Sequence, residues 1–162
     1  MRVVDIMMGT PYYCRPEMNL GSATELMWRG DCGFLPVIGN DGKVVGVITD
    51  RDICVALGTR GRPSGDVTVV GAMSRKAYFC APDDDVHIAL RAMREGHVRR
   101  FPVFTKSGEL VGVVSMDDML SRAETPSLGK APELSTEDVV KTFQAINVRQ
   151  LPQPTAKQAA AA

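Results

Sequence analysis

The sequence predicts an α/β (α+β) fold made of two β-α-β-β-α repeats packed about a pseudo-twofold axis, with one further helix after them. Three observations carry that prediction. Residues with special chemistry recur at a constant offset: Pro16 at 82, Met27 at 93, Gly30 at 96, Pro36 at 102, Gly42 at 108, Gly46 at 112 and Asp52 at 118. Each copy holds two runs rich in β-branched residues around a glycine turn, the signal of a hairpin. Each also holds an apolar stripe at i, i+3 and i+7, the signal of an amphipathic helix. A fixed period over most of the chain means two similar units, so chemistry assigned to one copy can be tested in the other.

In the first copy, Tyr12-Tyr13-Cys14 reads as a short strand that Pro16 ends. Asn19 is placed to cap a helix whose inner face is Leu20, Ala23 and Met27, and Gly30 to end it. Asp85, the stripe Val86, Ala89 and Met93, and Gly96 repeat the pattern. A hairpin follows, from Phe34-Leu35-Pro36-Val37-Ile38 through Asn40-Asp41-Gly42 to Val44-Val45-Gly46-Val47-Ile48, with Ser107-Gly108 turning its counterpart. Thr49 and Ser115 then cap the next helix of each copy, near Asp50 and Met116. Val3–Met7 and Val69–Met73 precede the copies and are expected as short apolar helices. The boundaries expected are 1–62 and 63–124 for the repeats, with the polar, turn-rich stretch from Thr59 to Asp66 joining them. Residues 125–162 are expected to form a linker (126–132), a helix from Ser135 to about Asn147 and a frayed tail. The apolar stripe of that helix is Val139, Val140, Phe143 and Ile146, and such a face must be buried somewhere.

Charge and composition narrow the function classes. With 19 basic and 19 acidic residues there is no general attraction for nucleic acid or an anionic membrane. No apolar run approaches the length of a bilayer span, and the first residues lack the core of a secretory signal, so a cytoplasmic protein is expected. Cys14, Cys32, Cys54 and Cys80 show no CxxC spacing, and His87 and His97 are isolated, which argues against zinc. Cys14 and Cys80 are repeat equivalents and read as small buried hydrophobes. A redox role for Cys14, Cys32 or Cys80 stands as a minor alternative. Trp28 and the many methionines read as core filling or a dimer face. No nucleophile motif unites the polar residues, so an enzyme is not expected.

Gly46-Val47-Ile48-Thr49-Asp50-Arg51-Asp52 and Gly112-Val113-Val114-Ser115-Met116-Asp117-Asp118, preceded by Leu35-Pro36-Val37 and Phe101-Pro102-Val103, resemble the motifs of the cystathionine β-synthase (CBS) domain pair. The resemblance covers about residues 1–124. It implies a non-enzymatic regulatory module, here a stand-alone one, with no obligatory cofactor. Its ligand would be an adenosine compound held between the copies: AMP, ADP or ATP first, S-adenosylmethionine less often. It also implies a homodimer and a regulated protein partner.

The residues offer a physical case for such a ligand. An ionised carboxylate can accept from both ribose hydroxyls, and Asp52 and Asp118 supply one in each copy. Thr49 and Ser115 stand at strand-to-helix junctions, where hydroxyl and backbone N–H groups face a ribose or phosphate. Leu35-Pro36 and Phe101-Pro102 can wall an adenine ring. Phosphate needs cations, for which Arg51, His97, Arg99 and Arg100 are at hand. Helix capping explains the Thr/Ser-x-x-Asp spacing equally well without a ligand, and a ligand-free dimerisation or interaction module is the alternative. Because Arg99 stands opposite Gly33, Arg100 opposite Phe34 and Asp117 opposite Arg51, the two clefts are expected to be unequal.

Overall fold

The computed structural model describes residues 1–126 and 131–148. Part of the expected linker and the tail beyond 148 lie outside the described residues. The elements in chain order are β1 (Met8–Gly9), α1 (Leu20–Arg29), β2 (Phe34–Ile38), β3 (Val44–Thr49), α2 (Asp50–Arg60), α3 (Val86–Gly96), β4 (Arg100–Phe104), β5 (Leu110–Ser115), α4 (Met116–Arg122) and α5 (Thr136–Ile146). Single 3-10 turns at Val3–Asp5 and Val69–Gly71 stand where short apolar helices were expected. They stay short because each is followed within a few residues by a stretch that pairs with a sheet.

Both hairpins form as read. β2 and β3 pair antiparallel with Leu35 opposite Ile48, and β4 and β5 pair with Phe101 opposite Val114. Gly42 and Gly108 take φ of 77° and 86° at the turns, a region that favours glycine. Each capping residue also does what its type predicts. Asn19 accepts from the Ser22 N–H, Asp85 from His87 and Ser135 from Asp138.

One expectation changes. The strand at Tyr12–Cys14 reduces to one bridging residue, since only Cys14 pairs, with Val37, as Cys80 pairs with Val103. Tyr12 and Tyr13 are about half exposed and join no ladder, the Tyr12 ring lying against Gly30 at the end of α1. Gly30 and Gly96 close α1 and α3 as expected, Gly30 as the C-cap and Gly96 as the last helical residue. The left-handed conformation falls one residue later, at Asp31 (φ 44°) and His97 (φ 49°). Glycine is needed instead for space, since a Cβ at Gly30 would lie 2.7 Å from the Tyr12 ring, and one at Gly96 2.7 Å from the Tyr78 ring.

The repeats exchange their leading segments. Val3 and Ile6 are buried in the core of the second repeat with Val86, Leu90, Met93, Phe101 and Val114. β1 adds to the edge of β5, giving a three-stranded sheet β1-β5-β4. Reciprocally, Val67 and Val69 enter the first core beside Leu20, Leu35 and Ile48, and Ser74 bridges to Val47 on β3. Gly46 and Gly112 permit this approach. A Cβ on either would fall within 3 Å of a carbonyl of the incoming segment, Ser74 or Met8.

α5 packs on α3 and α4, and Leu134, Val139 and Ile146 extend the second core, with Phe143 partly buried against it. Val140 departs from the expected stripe and is 49% exposed, because one residue of helix turns it about 100° away from Val139. Thr142 is fully buried in its place, donating to the Asp138 carbonyl and accepting from the Arg94 guanidinium.

Candidate functional site

Two clefts open between the repeats, and their linings are images of one another. The larger, of about 830 Å³, gathers Val47, Thr49, Arg51 and Asp52 from the β3–α2 junction, Ser74, Lys76 and Tyr78 from the connecting segment, and His97, Arg99, Arg100 and Phe101 from the second repeat. The smaller, of about 310 Å³, gathers Val113, Ser115, Asp117 and Asp118, then Met8, Thr10 and Tyr12, then Gly30, Asp31, Cys32 and Phe34. Adding the repeat offset carries Thr10 onto Lys76, Tyr12 onto Tyr78, Asp31 onto His97 and Phe34 onto Arg100. The geometry is duplicated while the charge is not.

The carboxylates are held identically. In the first cleft the Thr49 backbone N–H and hydroxyl both donate to Oδ2 of Asp52, at 2.9 and 2.8 Å, and the Thr49 oxygen accepts from the Asp52 N–H at 3.1 Å. Ser115 and Asp118 repeat the arrangement at 2.7, 2.6 and 3.2 Å. Both are capping boxes, so capping is satisfied in full. Capping consumes only one oxygen of each carboxylate. Oδ1 of Asp52 and of Asp118 has no hydrogen bond among the described residues, and both side chains are half-buried at a cleft wall.

Charge separates the two. The Asp52 cleft carries Arg51, Lys76, Arg99 and Arg100 against Asp50 and Asp52, with His97 in addition. The Asp118 cleft carries three carboxylates, Asp31, Asp117 and Asp118, against Arg100 alone. Arg100 reaches both, and its guanidinium lies 3.8 Å from Asp117. An anion is therefore attracted to the first cleft and repelled by the second.

Of the residues singled out from the sequence, Thr49, Arg51, Asp52, Arg99, Arg100 and Phe101 meet in the Asp52 cleft, and Ser115 and Asp118 in the other. Leu35, Pro36 and Pro102 are not brought to either cleft. Leu35 is wholly buried in the first core, one step out of phase with Phe34, which does reach both clefts. Pro36 and Pro102 are buried within β2 and β4.

Sequence reasoning missed Tyr12 and Tyr78, Lys76, and the end of α5. The tyrosines obey the repeat offset and stand beside Gly30 and Gly96, which was the available signal. Ile146, Asn147 and Val148 form one wall of the Asp52 cleft, and Oδ1 of Asn147 accepts from the Arg99 guanidinium at 2.6 Å. Nothing in the repeat pattern foreshadows that contact, because α5 has no counterpart.

The cysteines are all free. Burial pushes the Cys14 and Cys80 thiols up to about 12, which leaves almost no reactive thiolate and disfavours the redox reading for that pair. Cys32 lies in the Asp118 cleft and Cys54 is exposed. Among the described residues no three His, Cys, Asp or Glu side chains gather as a metal site, and no helix is long and apolar enough to cross a membrane.

The model of the CBS domain matches this chain twice, over residues 3–59 and 65–124. The chain belongs to the CBS-domain family. Members containing such pairs are regulatory, and the pairs commonly bind adenosine-containing ligands. Among curated relatives, an uncharacterised protein of Bacillus subtilis is 30% identical over 125 residues, covering 76% of this chain and 83% of its own. The inosine-5′-monophosphate dehydrogenase of Methanocaldococcus jannaschii is 29% identical over 71% of this chain, but that match spans only 22% of the dehydrogenase. Among solved structures, a CBS-domain protein of unknown function from Thermoplasma acidophilum superposes with a TM-score of 0.74 at 20% identity, over 97% of this chain and 82% of that one. A CBS pair in complex with 5′-methylthioadenosine and S-adenosyl-L-methionine superposes at a TM-score of 0.68, with 24% identity over 75% of the present chain and 94% of its own.

Proposed function

We propose that this CBS pair is a non-enzymatic regulatory sensor that binds a phosphate-bearing adenine nucleotide, AMP, ADP or ATP, in the Asp52 cleft. The carrying observation is the pairing of a half-buried carboxylate with Lys76, Arg51, Arg99 and Arg100 in one cleft, against three carboxylates in its image. Ribose hydroxyls would donate to Oδ1 of Asp52, Tyr78 and Val47 would offer apolar surface to adenine, and the cations would meet phosphate. The neighbour bound to methylthioadenosine and S-adenosylmethionine supports an adenosine core. The cations favour phosphate over a sulfonium compound.

The same cleft suggests how occupancy is transmitted. A phosphate oxygen is a stronger, charge-assisted acceptor than an amide oxygen, so nucleotide takes the Arg99 guanidinium from Asn147. Bound and free states then differ in how the end of α5 is held, the differential contact that a ligand-driven shift requires. A regulated protein partner would read that end. Four free cysteines support a reducing, cytoplasmic setting.

Calorimetric titration with AMP, ADP, ATP, S-adenosylmethionine and uncharged adenosine tests the reading. Saturable binding of a phosphate-bearing ligand, tighter than adenosine and lost in Asp52→Ala, is expected. No heat from any of them sinks it. The second reading, a ligand-free homodimerising module, draws on one exposed large apolar side chain on each of α1 to α4, namely Trp28, Val55, Ile88 and Leu120. Light scattering of the unliganded protein checks it, a dimer lost in Trp28→Glu being the expected result.

A further inference from the structure

A third cavity, of about 570 Å³, lies beneath the two hairpin turns and shares no residue with either cleft. Its walls are Val44, Val45, Ala77, Phe79 and Phe104, and its rim holds Lys43, Arg75 and Lys106 with no carboxylate in the lining. Phe79 is 65% exposed and meets Phe104 edge-on at 6.1 Å between ring centres. None of the three cations forms an ion pair among the described residues.

The repeat explains why this space is open. On the opposite side the corresponding position belongs to Arg15, whose guanidinium donates to the Gly39 carbonyl at 2.6 Å and lies 5.8 Å from the centre of the Tyr13 ring. The counterparts of Tyr13 and Ile38 are Phe79 and Phe104, but the counterpart of Arg15 is Ala81. Where one side is filled by its own cation and aromatic, the other keeps the aromatic and omits the filler. The cations at the rim have no basic image either, because Lys43, Arg75 and Lys106 correspond to Glu109, Gly9 and Asn40.

We propose that this cavity is a second effector site, for a small organic acid with an aromatic or short acyl body. The body would replace the missing side chain against Phe79, Phe104 and Val45, and the acid group would meet Lys43, Arg75 and Lys106. The segment from 74 to 79 links this site to the Asp52 cleft. Alternate residues Ser74, Lys76 and Tyr78 line the cleft, while Arg75, Ala77 and Phe79 line the cavity, as an extended chain dictates. An acid that orders this segment from one side fixes the residues presented on the other.

Calorimetry with 2-naphthoate as probe and uncharged 2-naphthamide as control tests the site. Saturable binding of the acid is expected, at least tenfold tighter than the amide. Ala81→Arg, which supplies the missing filler, and the triple variant Lys43→Gln, Arg75→Gln, Lys106→Gln are each expected to weaken it at least tenfold. Asp52→Ala is expected to leave it unchanged, which separates this site from the nucleotide reading. Absence of binding, equal binding of the amide, competitive displacement by a nucleotide that occupies the Asp52 cleft, or a folded triple variant that titrates like the parent overturns the proposal.

Discussion

The Asp52 and Asp118 clefts share a scaffold and differ in sign. Each has a Gly-h-h-Thr/Ser strand end, a carboxylate fixed by a capping box, and a tyrosine seated against a glycine. These shared parts hold the frame. The parts that differ are side chains at the cleft walls: Lys76 for Thr10, His97 for Asp31, Arg51 for Asp117 and Arg100 for Phe34. Duplication thus leaves two tasks separable: capping and backbone approach keep the fold, and rim residues set the ligand.

Exchanging the rims should break this comparison most severely. Replacing Arg51→Asp, Lys76→Thr and His97→Asp gives the first cleft the charges of the second, and nucleotide affinity should fall about a hundredfold, roughly 2.7 kcal/mol. Calorimetry measures the loss, and thermal unfolding should show the fold retained. The caps provide the complementary test, since they are common to both clefts. Thr49→Ala and Ser115→Ala should each cost about 1 kcal/mol of stability in urea unfolding. Only Thr49→Ala should also weaken nucleotide binding.

Asn147 sharpens the comparison from the cleft's other wall. Removing its amide in Asn147→Ala frees Arg99 for phosphate, so nucleotide should bind a few-fold more tightly, about 0.6–1 kcal/mol. Hydrogen exchange at the end of α5 should rise in the same variant even without ligand. The smallest effect concerns pH and belongs to the second repeat and the helix packed on it. The Asp85 carboxylate is held below its ordinary range first by the backbone N–H of His87, and Asp138 first by the Ser135 hydroxyl. His87 bridges them, its Nε2 3.7 Å from Asp138, whereas the image of His87 is Gly21. Depressed carboxylates favour the folded state fully above about pH 4 and lose that contribution as pH falls further. Acid titration followed by hydrogen exchange should therefore loosen α3 and α5 before α1, and His87→Gly should reduce the difference.

Local chemistry was readable in the residues, and long-range chemistry was not. The caps at Asn19, Thr49, Asp85, Ser115 and Ser135 follow from side chains that bond to backbone two or three residues away. The hairpins follow from turn glycines. Leu35 was misread as a cleft wall because a strand buried on both faces gives no alternation to show which side holds the core. Arg99 was expected to serve phosphate, but its partner Asn147 is 48 residues away in the sequence, on a helix outside the repeat. The exchange of leading segments was hidden for the same reason: Val3 and Val69 read alike, and only assembly shows that each serves the other copy.

That exchange carries a consequence for how the chain is made. Met8 pairs with Val113 and Gly9 with Gly112, so β1 is made long before its partner and waits for nearly the last residues of the second repeat. Contacts so distant must close a long loop before they return any free energy. The first core can gather once residues 67–74 emerge, but the second cannot be completed by nascent chain from its own half. Synthesis therefore holds Val3 and Ile6 exposed while the second repeat is made, and any delay before Val113 extends the period in which they are open to wrong partners.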